Sequence, residues 1–234
     1  MRNFKVILWD IDNTLLNFTA SERAGIRMCF EKFGLGECTD EMLEDYAEIN
    51  IKYWQKLERG ELSKDQVLVG RFMEFFEKYG RDTSVVEAFN DAYQLSLGDT
   101  IVFEPYAKEL VWGYKGRYKQ FAASNGTLLA QTKKLKNSGL SEVLDGAFIS
   151  DEIGVEKPMQ GFFDAVFAAV PECTKDEILI IGDSLTSDMK GGADAGIQTC
   201  WYNPKCKINN SGLMLDYEIH SLREVQELLG PVLF

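Results

Sequence analysis

Apolar residues fall along this chain in two patterns. The runs Lys5-Val6-Ile7-Leu8-Trp9, Phe121-Ala122-Ala123 and Ile178-Leu179-Ile180-Ile181 are short and unbroken, and each stops at polar residues. Continuous apolar stretches of this length predict strands of a sheet covered on both faces. Between Leu16 and about Gly98 the spacing becomes that of amphipathic helices, predicted over residues 21–33, 39–59, 63–79 and 83–97. These open on Ser21, Thr39, Ser63 and Thr83, residue types that cap helix N-termini, and Gly34, Gly60, Gly80 and Gly98 stand at or just past their ends. Ala24, Met28 and Phe30 with Phe33 lie largely on one face of the first helix, and Val67, Phe72, Phe75 and Phe76 do so later.

From Pro105 onward strand and helix alternate. Strands are predicted over 121–124, 146–150, 178–182 and 198–202, and helices over 128–137, 162–170, 187–195 and 222–229. Such alternation predicts an α/β fold, a Rossmann-like parallel sheet with helices on both faces. The sheet domain takes residues 1–16 and 99–234, and residues 17–98 form a four-helix insertion after the first strand. No internal repeat interrupts this order.

The polar residues that end the strands carry the candidate chemistry. The first run stops at Asp10-Ile11-Asp12-Asn13-Thr14, where a period of two points Asp10 and Asp12 the same way. Unit like charges at about 4 Å repel by about 4 kcal/mol at an effective dielectric of about 20, so the pair asks for a cation or for acid/base work. Taken alone, Asp-x-Asp is equally a solvated loop. Three further features bear on it. Ser124-Asn125-Gly126 ends the second run just before a helix, where hydroxyl and N–H donors suit an anion. Lys157-Pro158 holds one cation in a turn, and Gly182-Asp183 ends the fully apolar run, with Asp188 in the first turn of the helix that follows. Open parallel sheets bind ligands outside the carboxyl ends of their strands. One crevice is therefore expected to gather Asp10, Asp12, Ser124, Asn125, Lys157, Asp183 and Asp188. Carboxylates beside neutral and cationic donors fit Mg²⁺ and a phosphate together.

In order and spacing these four motifs resemble those of the haloacid dehalogenase-like superfamily of phosphohydrolases, over residue 5 to about 203. Asn50, Trp54, Gly60 and Arg71-Phe72, with Ala195-Gly196 and Thr199-Cys200-Trp201-Tyr202-Asn203-Pro204, resemble more narrowly the bacterial pyrimidine 5′-nucleotidase branch. One departure is Asn13, where many members carry Gly; Asn also accepts left-handed geometry. The resemblance implies that the insertion is a four-helix (C1-type) cap over the active site. It implies that Asp10 is the nucleophile and Asp12 the general acid and base, and that Mg²⁺ is held by Asp10, the Asp12 backbone carbonyl and Asp183. Ser124, Asn125 and Lys157 would hold the phosphoryl oxygens, and Asp188 would orient a metal-bound water or Lys157. Substrate choice would fall to the cap, with Trp54 and Arg71 ahead of Phe18, Tyr46 and Tyr53. The implied substrate is a small phosphorylated metabolite, a nucleoside 5′-monophosphate with pyrimidines favoured. A phosphatase for phosphoglycolate or a sugar phosphate has the same core chemistry.

Composition narrows the remaining classes. With 234 residues, 45% of them hydrophobic, the chain can bury a core for one domain plus an insertion. No run of about 18 apolar residues is present, and Met1-Arg2-Asn3-Phe4 leads into the first strand without an apolar leader, so a cytoplasmic location is expected and no membrane partner. The five cysteines form no C-x-x-C pair and read as reduced thiols. A net charge of −12 opposes binding to nucleic-acid polymers. The one histidine, His220, lies far from every motif, which argues against histidine-based chemistry. A haloacid dehalogenase would need neither Asp12 nor Asp183. A two-component receiver domain shares the acidic pocket but is about half this length and carries no helical cap. A non-catalytic binding protein on this fold is expected to lose Asp10 or Asp12, and both are present.

Overall fold

A computed structural model of the chain describes residues 3–232. It divides into two compact units: residues up to Phe18 together with those from Ile101 onward, and Thr19–Thr100.

The first unit is built on six parallel strands, β1 (Val6–Trp9), β2 (Lys119–Ser124), β3 (Gly146–Ile149), β4 (Ile178–Gly182), β5 (Gln198–Tyr202) and β6 (Tyr217–Ile219), in the order β3-β2-β1-β4-β5-β6. Successive side chains of a strand point to opposite faces. Ile7 and Trp9 of β1 accordingly join Leu179, Ile181, Cys200 and Tyr202 in one core layer, while Val6 and Leu8 join Ile178, Ile180 and Trp201 in the other. Both faces being covered, the central strands are apolar throughout, which is why they stood out in the sequence. β6 is a three-residue edge strand with an exposed Glu218, too short and too polar to register as an apolar run.

The helical unit holds α1 (Phe18–Lys32), α2 (Asp40–Glu58), α3 (Lys64–Lys78) and α4 (Val86–Ser96). Thr39 caps α2 by accepting from Met42 N, and Ser63 forms a reciprocal capping box with Gln66 on α3. Two expected caps are corrected. Asn17, another cap-forming type, stands before α1, and Ser21 lies buried a turn inside it. Asp82, not Thr83, caps the short 3₁₀ turn Thr83–Val85 that leads into α4, accepting from Ser84 N at 2.9 Å. The buried face of α1 is also shifted: Met28 is exposed, and the stripe Glu22, Gly25, Ile26, Cys29 and Phe30 faces inward. A glutamate in that stripe hides it from a hydrophobicity reading. Phe30, Tyr46, Phe72, Phe75, Phe76, Phe89 and Tyr93 fill the interior, with Tyr46 stacked on Phe72 at 4.9 Å between centroids.

In the sheet unit α5 (Ala107–Gly113), α6 (Leu128–Ser138) and α10 (Val225–Leu229) pack on the Trp9 side. On the Leu8 side lie α8 (Gln160–Ala169) and α9 (Lys190–Ala195), while a single turn, α7 (Ser150–Ile153), follows β3. The sequence reading omitted α5 and α7, one of seven residues and one of four, both too short for a helical period to show. Because every strand is parallel, the carboxyl ends share one edge, and the residues after Trp9, Ala123, Ile181 and Tyr202 all emerge there. No helix among the described residues is long and apolar enough to cross a membrane.

Candidate active site

Asp10 continues the ladder past β1, its N–H donating to Ile181 O at 2.9 Å. Its buried carboxylate accepts from Thr14 Oγ1 at 3.0 Å and from Lys157 Nζ at 3.0 Å. The loop that brings Thr14 back is tight: Asn13 N donates to Leu16 O at 2.7 Å, and Asn13 itself takes φ 64°, the left-handed geometry that Gly or Asn supplies.

Lys157 is the hub. Its side chain is 1% exposed, and Nζ donates to Asp10 Oδ1, to Asp188 Oδ1 at 2.6 Å and to Ala123 O at 2.5 Å. The Asn125 side chain clasps the Lys157 backbone in both directions, Nδ2 donating to Lys157 O and Oδ1 accepting from Lys157 N, each at 2.8 Å. Ser124 is buried beside it, with Oγ accepting from Gly126 N at 3.1 Å.

Asp183 ends β4, where its carbonyl accepts from Trp201 Nε1 at 2.9 Å. Asp188 sits in a wide π-type turn, Leu185–Met189, a form that recurs at functional sites. Its second oxygen accepts from Ser184 N at 3.1 Å. Any Cβ at Gly182 would collide with the Asp188 carboxylate, so glycine there lets Asp188 lie against the strand end.

One carboxylate oxygen from each of Asp10, Asp183 and Asp188 lies within 4.8 Å of the others. Asp10 and Asp188 pair with the Lys157 ammonium, and Asp183 beside them feels Lys207 and then Lys157, so the three carboxylates outnumber the cations that act on them. Burial, reinforced by Asp188 and Asp12 and opposed by Lys157, pushes the Asp10 carboxyl up to about 7. Burial first, then Asp10 and Asp188, raises Asp183 well above the carboxylate range. For Lys157 burial works against the charge, but Asp188 and Asp10 outweigh it and its pKa is raised. Three carboxylate oxygens that converge this closely, with Asp10 and Asp188 buried, are a donor set that fits a hard divalent ion such as Mg²⁺.

Asp12 faces a different partner. Gln131 Nε2 donates to its Oδ2 at 2.7 Å, and Lys134 Nζ pairs with its Oδ1. Sequence reasoning missed both residues. The signal was available in their i, i+3 spacing on the helix directly after Ser124-Asn125-Gly126. Trp54 and Arg71 lie inside the helical unit. Arg71 is 1% exposed and donates to Asn50 Oδ1 at 2.7 Å, with its guanidinium carbon 5.9 Å from the centroid of the half-buried Trp54 ring. His220 Nδ1 donates to Asn203 O at 2.9 Å, and all five cysteines are free.

Together these features describe a Rossmann-like α/β core with an acidic crevice at the carboxyl ends of its strands and a helical unit inserted after the first of them. Residues 4–196 match the model of the haloacid dehalogenase-like hydrolases, and the chain belongs to that family. It is 33% identical to the HAD-hydrolase YfnB of Bacillus subtilis over 98% of this chain and 97% of that protein. A crystal structure of YfnB bound to magnesium superposes with a TM-score of 0.89, covering 98% of this chain and 100% of the other at 32% identity. The pyrimidine 5′-nucleotidase PynA of Streptococcus pneumoniae is 31% identical, over 97% of this chain and 95% of its own. The pyrimidine 5′-nucleotidase YjjG of Escherichia coli is 28% identical, over 95% and 96%.

Proposed function

We propose that the protein is a magnesium-dependent phosphomonoesterase that works through an aspartyl-phosphate on Asp10, with pyrimidine nucleoside 5′-monophosphates as substrates. The observation that carries the reading is Asp10 itself, buried at the strand end between Lys157 and the Asp183/Asp188 carboxylates. The substrate class follows PynA and YjjG, both named as pyrimidine 5′-nucleotidases.

Asp10, Asp183 and the Asp12 backbone carbonyl would hold Mg²⁺, which when bound neutralises the repulsion between a carboxylate nucleophile and a phosphate dianion. Asp10 attacks phosphorus in line. The new P–O bond forms as the bond to the leaving oxygen breaks, and that oxygen takes a proton from Asp12. Water then attacks the aspartyl-phosphate, giving a proton back to Asp12 and releasing phosphate and free Asp10. Lys157, the Ser124 hydroxyl and the Asn125 main-chain N–H bind the phosphoryl oxygens, where charge spreads in the transition state. With its side chain spent on Lys157, Asn125 has a second task, to hold that lysine in place. Asp188 fixes the Lys157 ammonium from the other side. Trp54 offers a base an aromatic face, and Arg71 braces the polar tier behind it. Small phosphates accompanied by Mg²⁺ are compatible with the net charge of −12, whereas a nucleic-acid polymer is not.

The test is phosphate release from nucleoside monophosphates, sugar phosphates and phosphoglycolate, with Mg²⁺ and with EDTA. Magnesium-dependent release led by UMP, dUMP or dTMP is expected. A sugar phosphate that beats every nucleotide tenfold would discard the substrate and keep the chemistry. No release from any phosphate would discard both.

A further inference from the structure

We propose that Gln131 and Lys134 are positioning residues that hold the Asp12 carboxylate for proton transfer, so that each aspartate of the Asp10-x-Asp12 pair has its own buried lysine. The inference rests on the phosphomonoesterase reading above and adds to it the device that places the acid.

Lys134 is a charged side chain 2% exposed, and Asp12 is the carboxylate it meets. Lysine is rarely buried without such a partner. Its ammonium also lies 4.9 Å from the centroid of the Phe18 ring, so an aromatic face flanks the lysine end of the pair, while the Asp12 side chain is 25% exposed. Gln131 is as deeply buried, and its Oε1 has no hydrogen-bond partner while its Nε2 donates to Asp12. An amide that leaves its acceptor unsatisfied to aim its donor has its orientation dictated by that contact. Residues three apart on a helix share a face, so α6 presents both donors together.

The phosphate-binding turn is shaped around this clamp. A Cβ at Gly126 would collide with Gln131 Nε2 and lie 3.0 Å from Cδ and Cγ of the same side chain. Gly126 is absent from the positive-φ glycines, so its backbone does not call for glycine, but a side chain there would displace the Gln131 amide from its place beside Asp12. Thr127 then caps α6, accepting from Ala130 N at 3.3 Å, which fixes the start of the helix relative to the turn. Ser124-Asn125-Gly126-Thr127 thus sets two things at once, the anion donors and the register of the two residues that grip Asp12.

The consequence is separable from phosphate binding. An alkoxide needs a proton as it leaves, and p-nitrophenolate does not, so a misplaced Asp12 penalises alkyl phosphates selectively. kcat/KM covers steps only through formation of the aspartyl-phosphate and so excludes the later attack of water. The experiment measures kcat/KM with Mg²⁺ for UMP and for p-nitrophenyl phosphate in the wild type, Lys134→Met and Gln131→Met. The ratio of UMP to p-nitrophenyl phosphate is expected to fall about tenfold in Lys134→Met and several-fold in Gln131→Met, part of the 10²–10⁴-fold of general acid catalysis. In an Asp12→Asn background neither substitution moves the ratio further, because the group they position is gone. Equal losses on both substrates, no loss on either, or a further fall in the Asp12→Asn background would overturn the proposal. If Lys134→Met fails to fold, shown by a lost cooperative melt, Gln131→Met decides alone. If the wild type prefers another alkyl phosphate, that ester replaces UMP in the ratio. A wild type that releases phosphate from no ester sinks the phosphomonoesterase reading and this inference with it, whereas a wild type that turns over both substrates isolates the clamp.

Discussion

Two buried polar networks sit in this chain, and they are balanced differently. Inside the helical unit Arg71 donates to Asn50 Oδ1, and Asn50 Nδ2 donates in turn to Glu22 Oε2 at 2.8 Å, so one cation and one anion are joined through an amide. Asn90 extends the tier, accepting from Arg71 Nη2 at 3.4 Å. At the carboxyl edge of the sheet Asp10 and Asp188 share Lys157 while Asp183 lies beside them, and burial raises the pKa of both Asp10 and Asp183. A network whose charges balance needs no outside ion, even though Arg71 Nε has no hydrogen-bond partner within it. A network short of positive charge is stable only when protons or a cation complete it, which suits the strand-end crevice to the metal-binding role proposed for it.

The largest effect that would test this contrast is on Asp10, the proposed nucleophile. Asp10→Asn is expected to lower kcat on every phosphate by about four orders of magnitude or more with the fold retained, read by steady-state turnover alongside a thermal melt. Residual activity within tenfold of wild type would move the nucleophile elsewhere. Next comes the proposed acid: Asp12→Ala should depress kcat/KM for UMP by about 10²-fold or more beyond its effect on p-nitrophenyl phosphate.

The charge deficit itself predicts a link between pH and metal. Without a cation the folded pKa values of Asp10 and Asp183 lie above their unfolded values, so between the usual carboxylate range and about 7 the folded chain binds more protons than the unfolded one. Their contribution to stability therefore falls as pH rises through that window. Mg²⁺ replaces those protons, so the gain in melting temperature on adding it is expected to be larger at about pH 7.5 than at about pH 5.5. A hundredfold excess over Kd contributes about 2.7 kcal/mol, several degrees for a chain of this size. Differential scanning fluorimetry with Mg²⁺ and with EDTA at the two pH values measures it, and a gain independent of pH would mean that the carboxylates are ionised before the metal arrives.

The smallest effect on chemistry belongs to the balanced network. Arg71→Met leaves Glu22 and Asn50 without their cation and should cost about 3 kcal/mol of stability. Turnover of p-nitrophenyl phosphate should fall far less than in the Asp12 variant, while KM for UMP rises. A stability unchanged within about 0.5 kcal/mol would show that the network is not the closed unit described above.

Much of the architecture was already visible in one dimension. A parallel sheet covered on both faces requires unbroken apolar strands, so β1 and β4 and the polar residues that end them stood out, and the ordered motifs put Asp10, Ser124, Lys157 and Asp183 on a common edge. Asn13 was readable too, because the left-handed turn admits few residue types. What stayed hidden was short or mixed in character: α5, the edge strand β6, and the α1 face in which buried Glu22 replaces an apolar residue.

By itself, then, the sequence determined the alternation of strands and helices, the insertion after the first strand and the residue types available at the crevice, since all of these follow from local periodicity and spacing. Only the tertiary structure decided pairing. Asp10 meets Lys157 across 147 positions and Asp12 meets Lys134 across 122, while Asn125 turns its side chain to the lysine backbone. Which carboxylate a buried ammonium joins depends on distances of a few ångströms between elements remote in the chain, and no local pattern carries that information.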